Sequence, residues 1–516
     1  MTPFALTTPL FYVNDAPHMG SAYPTMAADA LSRYGRLRGY PTLFVTGTDE
    51  HGQKIQRSAE KSGLPPQAHC DRLVAQFQDL WQKLHIEYDR FSRTTSPQHR
   101  AIVTEFYGRV WAQGDIYLER QQGWYCVACE EFKDEKELLA ERKCPIHVTI
   151  PCEWRDEPNY FFRLAKYQAR LEALYQERPD FIQPLSRRNE VLGFVSQGLR
   201  DFSISRVNLS WGIPVPTDPS HTLYVWFDAL LGYISALLAP GEEPTLENAV
   251  KHWFPFRLHL IGKDILRFHA IYWPAMLMSA ALPLPERVFG HGFLTKDGLK
   301  MGKSLGNTLD PFALVDTYGA DAVRYFFLRE IVLGKDGDFS EKRFVETVNA
   351  DLANSLGNLL NRSLNMTHKY CGGQVPIPQT QEIQALTAPV VDLAQTLGDR
   401  LAPGYESLDF VGVCEGILAL VTACNKLIDE VAPWKRFKEG DLAPIVELLY
   451  TVLEASRLSV YGLSPITPTL SREAYRQLGL AFPAVNSWEH TQWGVLPTGT
   501  PLPQPSPLFQ RLPVPA

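Results

Sequence analysis

The sequence predicts an α/β protein in which a parallel sheet is split by a cysteine-bearing insertion and followed by a helical bundle. Three observations predict it. Short apolar strands end in polar runs with helices between them, four of the eight cysteines fall between Cys126 and Cys152, and the pattern past Asp338 is almost wholly helical. At 516 residues the chain is long enough for roughly three or four structural units.

Phe4 to Val13 reads as a buried strand that turns at Asn14-Asp15-Ala16-Pro17, and Ser21 to Arg38 reads as the helix that follows. A second strand, Thr42 to Thr46, runs into the polar segment Gly47-Thr-Asp-Glu-His-Gly52. Leu258 to Ile261 enters Gly262-Lys263-Asp264, and Arg287 to Gly290 enters His291-Gly292. Between the two strand pairs, Trp111 to about Arg206 reads as an insertion, so the site formed by the strand ends is discontinuous in sequence. Phe344 to Asn365 and Glu382 to Leu463 carry long amphipathic helical patterns. Pro497 to Ala516 holds seven prolines without periodicity and reads as a flexible or docked tail.

Composition is that of a soluble globular chain, with 45% hydrophobic, 11% aromatic and 21% charged residues. A formal charge of −7 excludes binding nucleic acid by bulk positive field and leaves only local basic surface. No basic leader precedes the first strand, and no apolar run is read as long enough to cross a bilayer, so a cytoplasmic protein without membrane contact is expected. Cys126-Val-Ala-Cys129 and Cys144-Pro-Ile-His147 are two knuckles that together suit one tetrahedral, structural zinc site, with Cys152 an alternative to His147.

Two further motifs carry chemistry. His18, in Pro17-His18-Met19-Gly20-Ser21, stands between the first strand and its helix, where backbone N–H groups and the helix dipole favour phosphate. Gly20 leaves room for a nucleotide to approach the backbone. Alone, this segment is better read as a capping turn. Far downstream, Lys296-Asp-Gly-Leu-Lys300-Met-Gly-Lys303-Ser304-Leu-Gly-Asn307 places lysines in a glycine-rich loop. Alone it reads as a solvated surface loop; coupled to His18, its ammonium groups suit a departing pyrophosphate.

The pairing of these motifs resembles the class I aminoacyl-tRNA synthetases, which join a His-x-Gly-His motif after the first Rossmann strand to a Lys-Met-Ser-Lys-Ser loop after the last. Ser21 stands where the second histidine is usual and Gly302 where the middle serine is usual. Ser21 can donate a hydrogen bond but supplies no imidazolium charge. Leu223-Tyr-Val-Trp226-Phe-Asp-Ala229-Leu-Leu-Gly-Tyr233, with Leu10, Tyr12, Phe268 and His269, adds an aromatic wall suited to a polarizable thioether, although ordinary core packing would use the same residue types. These segments are similar to the methionyl members of the class, and the resemblance spans nearly the whole chain.

That resemblance implies a Rossmann-type sheet with a zinc-binding insertion and an α-helical bundle that binds the anticodon. It implies a ligase that activates L-methionine with ATP and magnesium to methionyl-adenylate, releases pyrophosphate, and transfers methionine to tRNA(Met) for protein synthesis. His18, Lys300 and Lys303 would be catalytic. Leu10, Tyr12, Asp49, Trp226, Ala229, Leu230, Tyr233, Phe268 and His269 would bind methionine, with Asp49 receiving the ammonium unless it only caps the next helix. ATP would meet His18, Gly20, Ser21, Asp264, Lys300, Lys303 and Ser304, with Asp264 on the ribose. Zinc would be held by Cys126, Cys129, Cys144 and His147. Asn358 and Arg362, four apart on one helix face, and Trp434 beside Lys435 and Arg436 would read the anticodon; a tryptophan at a helix start could equally pack on the bundle. The implied division is 1–110 and 207–296 for the sheet domain, 111–206 for the insertion, 297–345 for the lysine-loop region, 346–490 for the anticodon-binding helices and 491–516 for the tail. A monomer is expected. The rival readings are another class I synthetase and an inactive tRNA-binding paralogue.

Overall fold

The computed structural model describes residues 3–127, 131–133, 135–145, 150–207, 209–301 and 308–513. Its centre is a six-stranded sheet in the spatial order Arg90–Arg93, Thr42–Asp49, Phe4–Tyr12, Leu258–Gly262, Val288–His291, Ile182–Gln183. Every pairing in it is parallel. Parallel strands need both faces covered, which is why Phe4 to Thr8 and all of Leu258–Gly262 are buried. Chain order reverses between Phe4–Tyr12 and Leu258–Gly262, so the crevice beyond the carboxyl ends of these strands is where such a sheet binds ligands.

The second strand extends past Thr46 to Asp49, because Leu10, Phe11 and Tyr12 continue the ladder against Gly47, Thr48 and Asp49. Gly47 permits the next strand to approach, since a Cβ there would lie 2.2 Å from the Ser92 carbonyl oxygen. The edge strand Ile182–Gln183 comes from within the span read as the insertion and pairs with Val288 and Phe289. Four other strands of that span build a separate antiparallel sheet, ordered Glu131–Lys133, Ile116–Cys126, Glu153–Phe162, Phe202–Ser203, while its helices Gln168–Glu177 and Leu185–Val195 share the core of the central sheet.

The helix Met19–Leu37 is buried at all but Gly20 and Arg36. It is enclosed because it lies between the sheet and the carboxyl-terminal helices: Tyr34 stacks on Tyr405 at 4.9 Å, and Tyr23 donates to the Ile331 carbonyl at 3.4 Å. Beyond the sheet, Leu294–Lys296 and Leu299–Lys300 form a hairpin whose turn is Asp297-Gly298, both at positive φ. The lysine segment, read from sequence as a loop from Lys296, is therefore ordered as strand and turn through Lys300. Asp-Gly is a favoured two-residue hairpin turn, and Asp338 Oδ1 accepts from Gly298 N at 2.8 Å to hold it.

Glu341–Val348, Asn349–Gly357 and Asn358–Cys371 follow one another as a helix with a wide, π-type middle portion, and further helices from Gln384 to Gln477 pack around it. Contrary to the expectation that no apolar run is long enough to cross a bilayer, the segment Phe410–Glu439 is long and apolar enough by length and composition. Its apolar residues Phe410, Val413, Cys414, Ile417, Leu420, Val421 and Cys424 recur at helical spacing and are buried against the neighbouring helices, which accounts for the hydropathy. The proline-rich tail is docked through Leu502: Val375 N donates to the Thr500 carbonyl at 2.9 Å and Leu502 N to the Gly373 carbonyl at 2.9 Å. Farther on, Leu512 exchanges hydrogen bonds with the Asn349 side chain.

Candidate active site

At the mouth of the crevice His18 is the residue before the helix Met19–Leu37, and its Nδ1 accepts from Gly20 N at 3.0 Å. An accepting Nδ1 carries the lone pair, which leaves the ring hydrogen on Nε2. Gly20 makes this possible, since a Cβ there would come 2.7 Å from His18 Cε1. Ser21 completes a capping box: its hydroxyl donates to the His18 carbonyl at 2.7 Å and accepts from His18 N at 3.1 Å. The Ser21 proton is thus engaged in shaping the turn.

Tyr12 and Asp49 are direct partners in neighbouring strands, and Asp49 is 7% exposed. Across the crevice Trp226 stacks on Phe268 with centroids 3.9 Å apart and planes 8° apart. Tyr233 Oη and His269 Nε2 are 2.8 Å apart, and His269 Nδ1 is 3.0 Å from the Ile265 carbonyl. A carbonyl can only accept, so Nδ1 bears the hydrogen and the Tyr233 hydroxyl donates to Nε2. Burial drives the His269 imidazole down to about 4, only partly offset by its bond to Ile265, and pushes the Tyr233 phenol well above its ordinary range. Both are neutral near pH 7. Leu10 lies against Gly232, where a Cβ would sit 2.3 Å from Leu10 Cδ1, and Ala229 and Leu230 are buried beside them. Asp264 follows the strand Leu258–Gly262 and folds back over Gly262, whose Cβ would be 2.4 Å from Asp264 Oδ1.

Lys300 ends its strand, while Lys303 and Ser304 lie outside the described residues. So do Cys129 and His147. Cys126 and Cys144 are buried in a small cluster with Cys152, Trp124 and Leu138. Burial and the neighbouring Cys126 and Cys144 push the Cys152 thiol up to about 11. Among the described residues no group of three or more His, Cys, Asp or Glu side chains is arranged to hold a metal. In the helical region Asn358 is exposed, Arg362 pairs with Asp429 at 3.1 Å, and Trp434 is 41% exposed.

Sequence reasoning missed several polar groups around the crevice. Glu50 is buried and takes two bonds from Arg93, at 2.7 and 2.8 Å. Asp228 is buried between His51 and His99. Arg206 lies over the Tyr224 ring at 4.1 Å and, with Gln53, Tyr125 and Arg155, lines a cleft of about 280 Å³. The available signal was adjacency, since Glu50 and His51 directly follow Asp49 and Asp228 sits inside the Trp226–Tyr233 segment.

The family model described as "tRNA synthetases class I (M)" matches residues 4–149 and 134–364. The parallel sheet with its reversal point, and the helical region that follows, are those of a class I aminoacyl-tRNA synthetase. Methionine–tRNA ligase of Thermosynechococcus vestitus is 62% identical over 524 residues, covering 100% of this chain and 99% of the relative. The chloroplastic/mitochondrial methionine–tRNA ligase of Arabidopsis thaliana is 53% identical, covering 99% of this chain and 83% of the relative. Mycobacterium tuberculosis methionyl-tRNA synthetase, solved in complex with methionyl-adenylate, superposes with a TM-score of 0.94 at 41% identity, covering 99% of this chain and 100% of that one. The chain belongs to the methionyl-tRNA synthetase family.

Proposed function

We infer that this chain joins L-methionine to tRNA(Met) in two steps within the crevice. First, a methionine carboxylate oxygen attacks the α-phosphorus of ATP and the bond to the β-phosphate oxygen breaks, so pyrophosphate leaves with the electron pair. Then the terminal ribose hydroxyl of the tRNA attacks the adenylate carbonyl and AMP departs. The observation that carries this reading is the juxtaposition of the His18 turn, Asp49 and the Trp226–Phe268–Tyr233–His269 wall around the carboxyl ends of the parallel strands.

His18, with its hydrogen on Nε2, would donate to a phosphate oxygen, and Lys300 and Lys303 would meet the charge that develops on pyrophosphate. Gly20, Ser21, Asp264 and Ser304 complete the nucleotide site, with Ser21 acting through the His18 turn. The methionine ammonium would sit against Asp49, and its thioether among Leu10, Tyr12, Trp226, Ala229, Leu230, Tyr233, Phe268 and His269. Magnesium, when bound with ATP, would neutralise phosphate charge. Zinc would suit the thiols of Cys126 and Cys144, which are buried together with Cys152, and the reading takes Cys129 and His147, or Cys152 in place of His147, as the remaining ligands of a structural site.

The same reading assigns 1–110 and 207–296 to the catalytic domain, with the edge strand Ile182–Gln183 that its sheet takes from the span 111–206, the remainder of that span to the insertion, 297–345 to the lysine-loop region, 346–490 to anticodon binding and 491–516 to the tail. Asn358, Arg362 and Trp434 would contact the anticodon, and the exposure of Trp434 leaves its ring open for a stacked base. A cytoplasmic monomer is part of this reading. ATP–pyrophosphate exchange with the full amino-acid panel tests it: exchange should depend on methionine, and equal exchange with leucine, valine or cysteine would overturn it.

A further inference from the structure

A buried polar cluster links the proposed methionine wall to the carboxylate proposed for its ammonium. Asp228 is fully buried, with Oδ2 held 2.6 Å from His51 Nδ1 and Oδ1 held 2.5 Å from His99 Nε2. The other ring nitrogen of His99 lies 3.0 Å from Ser235 Oγ. Ser235 Oγ lies 3.2 Å from the Gly232 carbonyl, which also accepts from Ser92 at 2.8 Å. On the far side the Trp211 edge meets the His51 ring, and its Nε1 donates to the Glu50 carbonyl at 2.6 Å.

The cluster is placed by register. His51 is two residues past Asp49, Asp228 is two past Trp226 and adjoins Ala229, and Ser235 is two past Tyr233. A single carboxylate therefore ties the end of strand Thr42–Asp49, the helix Pro97–Ala112 and the helix Val225–Ala229 to one another. Burial raises its carboxyl, but the charges and hydrogen bonds of His51 and His99 lower it by more, so it stays ionised and can accept from both rings.

We propose that Asp228, clamped between His51 and His99, is a positioning residue for methionine: it sets the spacing of the Trp226–Tyr233 wall from Asp49. It touches no reacting atom. Its effect is on how well one ligand spans two anchors, and a misplacement of about 1 Å in such a constellation costs roughly a hundredfold. The inference rests on the methionine pocket proposed above.

The test uses the full chain and ATP–pyrophosphate exchange, with methionine and ATP varied separately. Asp228→Asn keeps the shape but offers one accepting oxygen where two are used. It should raise the KM for methionine by about 10- to 100-fold and leave the KM for ATP within about twofold. Ser235→Ala, which removes the outer contact to His99 and the bond to the Gly232 carbonyl, should raise the methionine KM by roughly 3- to 10-fold and decides the matter if Asp228→Asn does not fold. Trp226→Ala serves as the control on the pocket. If Trp226→Ala leaves the methionine KM unchanged, the pocket assignment fails and this inference with it. If Trp226→Ala raises it while folded Asp228→Asn and Ser235→Ala leave it unchanged, or raise the methionine and ATP values equally, only the positioning role is overturned.

Discussion

His269 shows what burial does to a single side chain here. Its ring is fully enclosed, donates through Nδ1 to Ile265 and accepts from Tyr233, so a second proton would break the bond to Tyr233. Its folded value of about 4 lies below the ordinary imidazole value of about 6.5. The unfolded chain therefore binds the proton first, so this group's stabilisation is complete above about pH 6.5 and declines as pH falls toward 4. Between pH 6 and 5, the wild-type unfolding free energy should fall more steeply than that of His269→Gln, by up to about 1.4 kcal/mol per pH unit. Denaturant titrations at those pH values check this, and equal slopes would contradict it. The His18 turn and the aromatic segment stood out only in combination with the lysine segment and the family resemblance, because a capping turn and ordinary core packing use the same residue types. The Ser21 role was not legible, since a hydroxyl serves a capping box and a nucleotide equally well until the geometry of the turn is known. Asp228 was not legible either, as its partners lie 177 and 129 residues away in sequence.

Among the elements, four of the six parallel strands were legible because burial on both faces demands apolar runs, whereas Arg90–Arg93 was not, since Arg-Phe-Ser-Arg offers no such run. Ile182–Gln183 escaped because two residues carry no periodicity, and the lysine hairpin because Asp297-Gly298 was read as part of a loop although Asp-Gly marks a tight turn. The helix Asn358–Cys371 and the short helix Pro433–Glu439 meet through Tyr370 and Phe437, 4.5 Å apart, which brings the segments carrying Arg362 and Trp434 into one region of the bundle. A stacked base contributes about 1–3 kcal/mol, or roughly 5- to 150-fold. Trp434→Ala should therefore weaken aminoacylation through a raised KM for tRNA within that range, and Arg362→Ala should act in the same direction. Neither should change methionine-dependent pyrophosphate exchange by more than about twofold, because that step needs no tRNA. Parallel loss of both reactions would mean that the substitutions loosen the bundle and would contradict anticodon recognition.

Across the whole molecule, one buried guanidinium joins the sheet domain to the helices. Arg324 reaches Asp29 at 2.7 Å and donates to the carbonyls of Leu84, Pro465 and Ile466. The helix Met19–Leu37 that follows His18 is thereby anchored to the carboxyl-terminal region, a connection no local pattern could reveal. The helical region itself was legible from its 3.6-residue periodicity, and the apolarity of Phe410–Glu439 reflects its place inside that bundle. On the proposed mechanism the imidazole of His18 and the ammonium groups of Lys300 and Lys303 close on one triphosphate from distant parts of the sequence. A crystal structure with methionine and a non-hydrolysable ATP analogue tests it most directly. It should place His18 Nε2 and both lysine Nζ atoms about 3 Å from phosphate oxygens. Either lysine turned away from the triphosphate with both ligands bound, or His18 facing another surface, would contradict it.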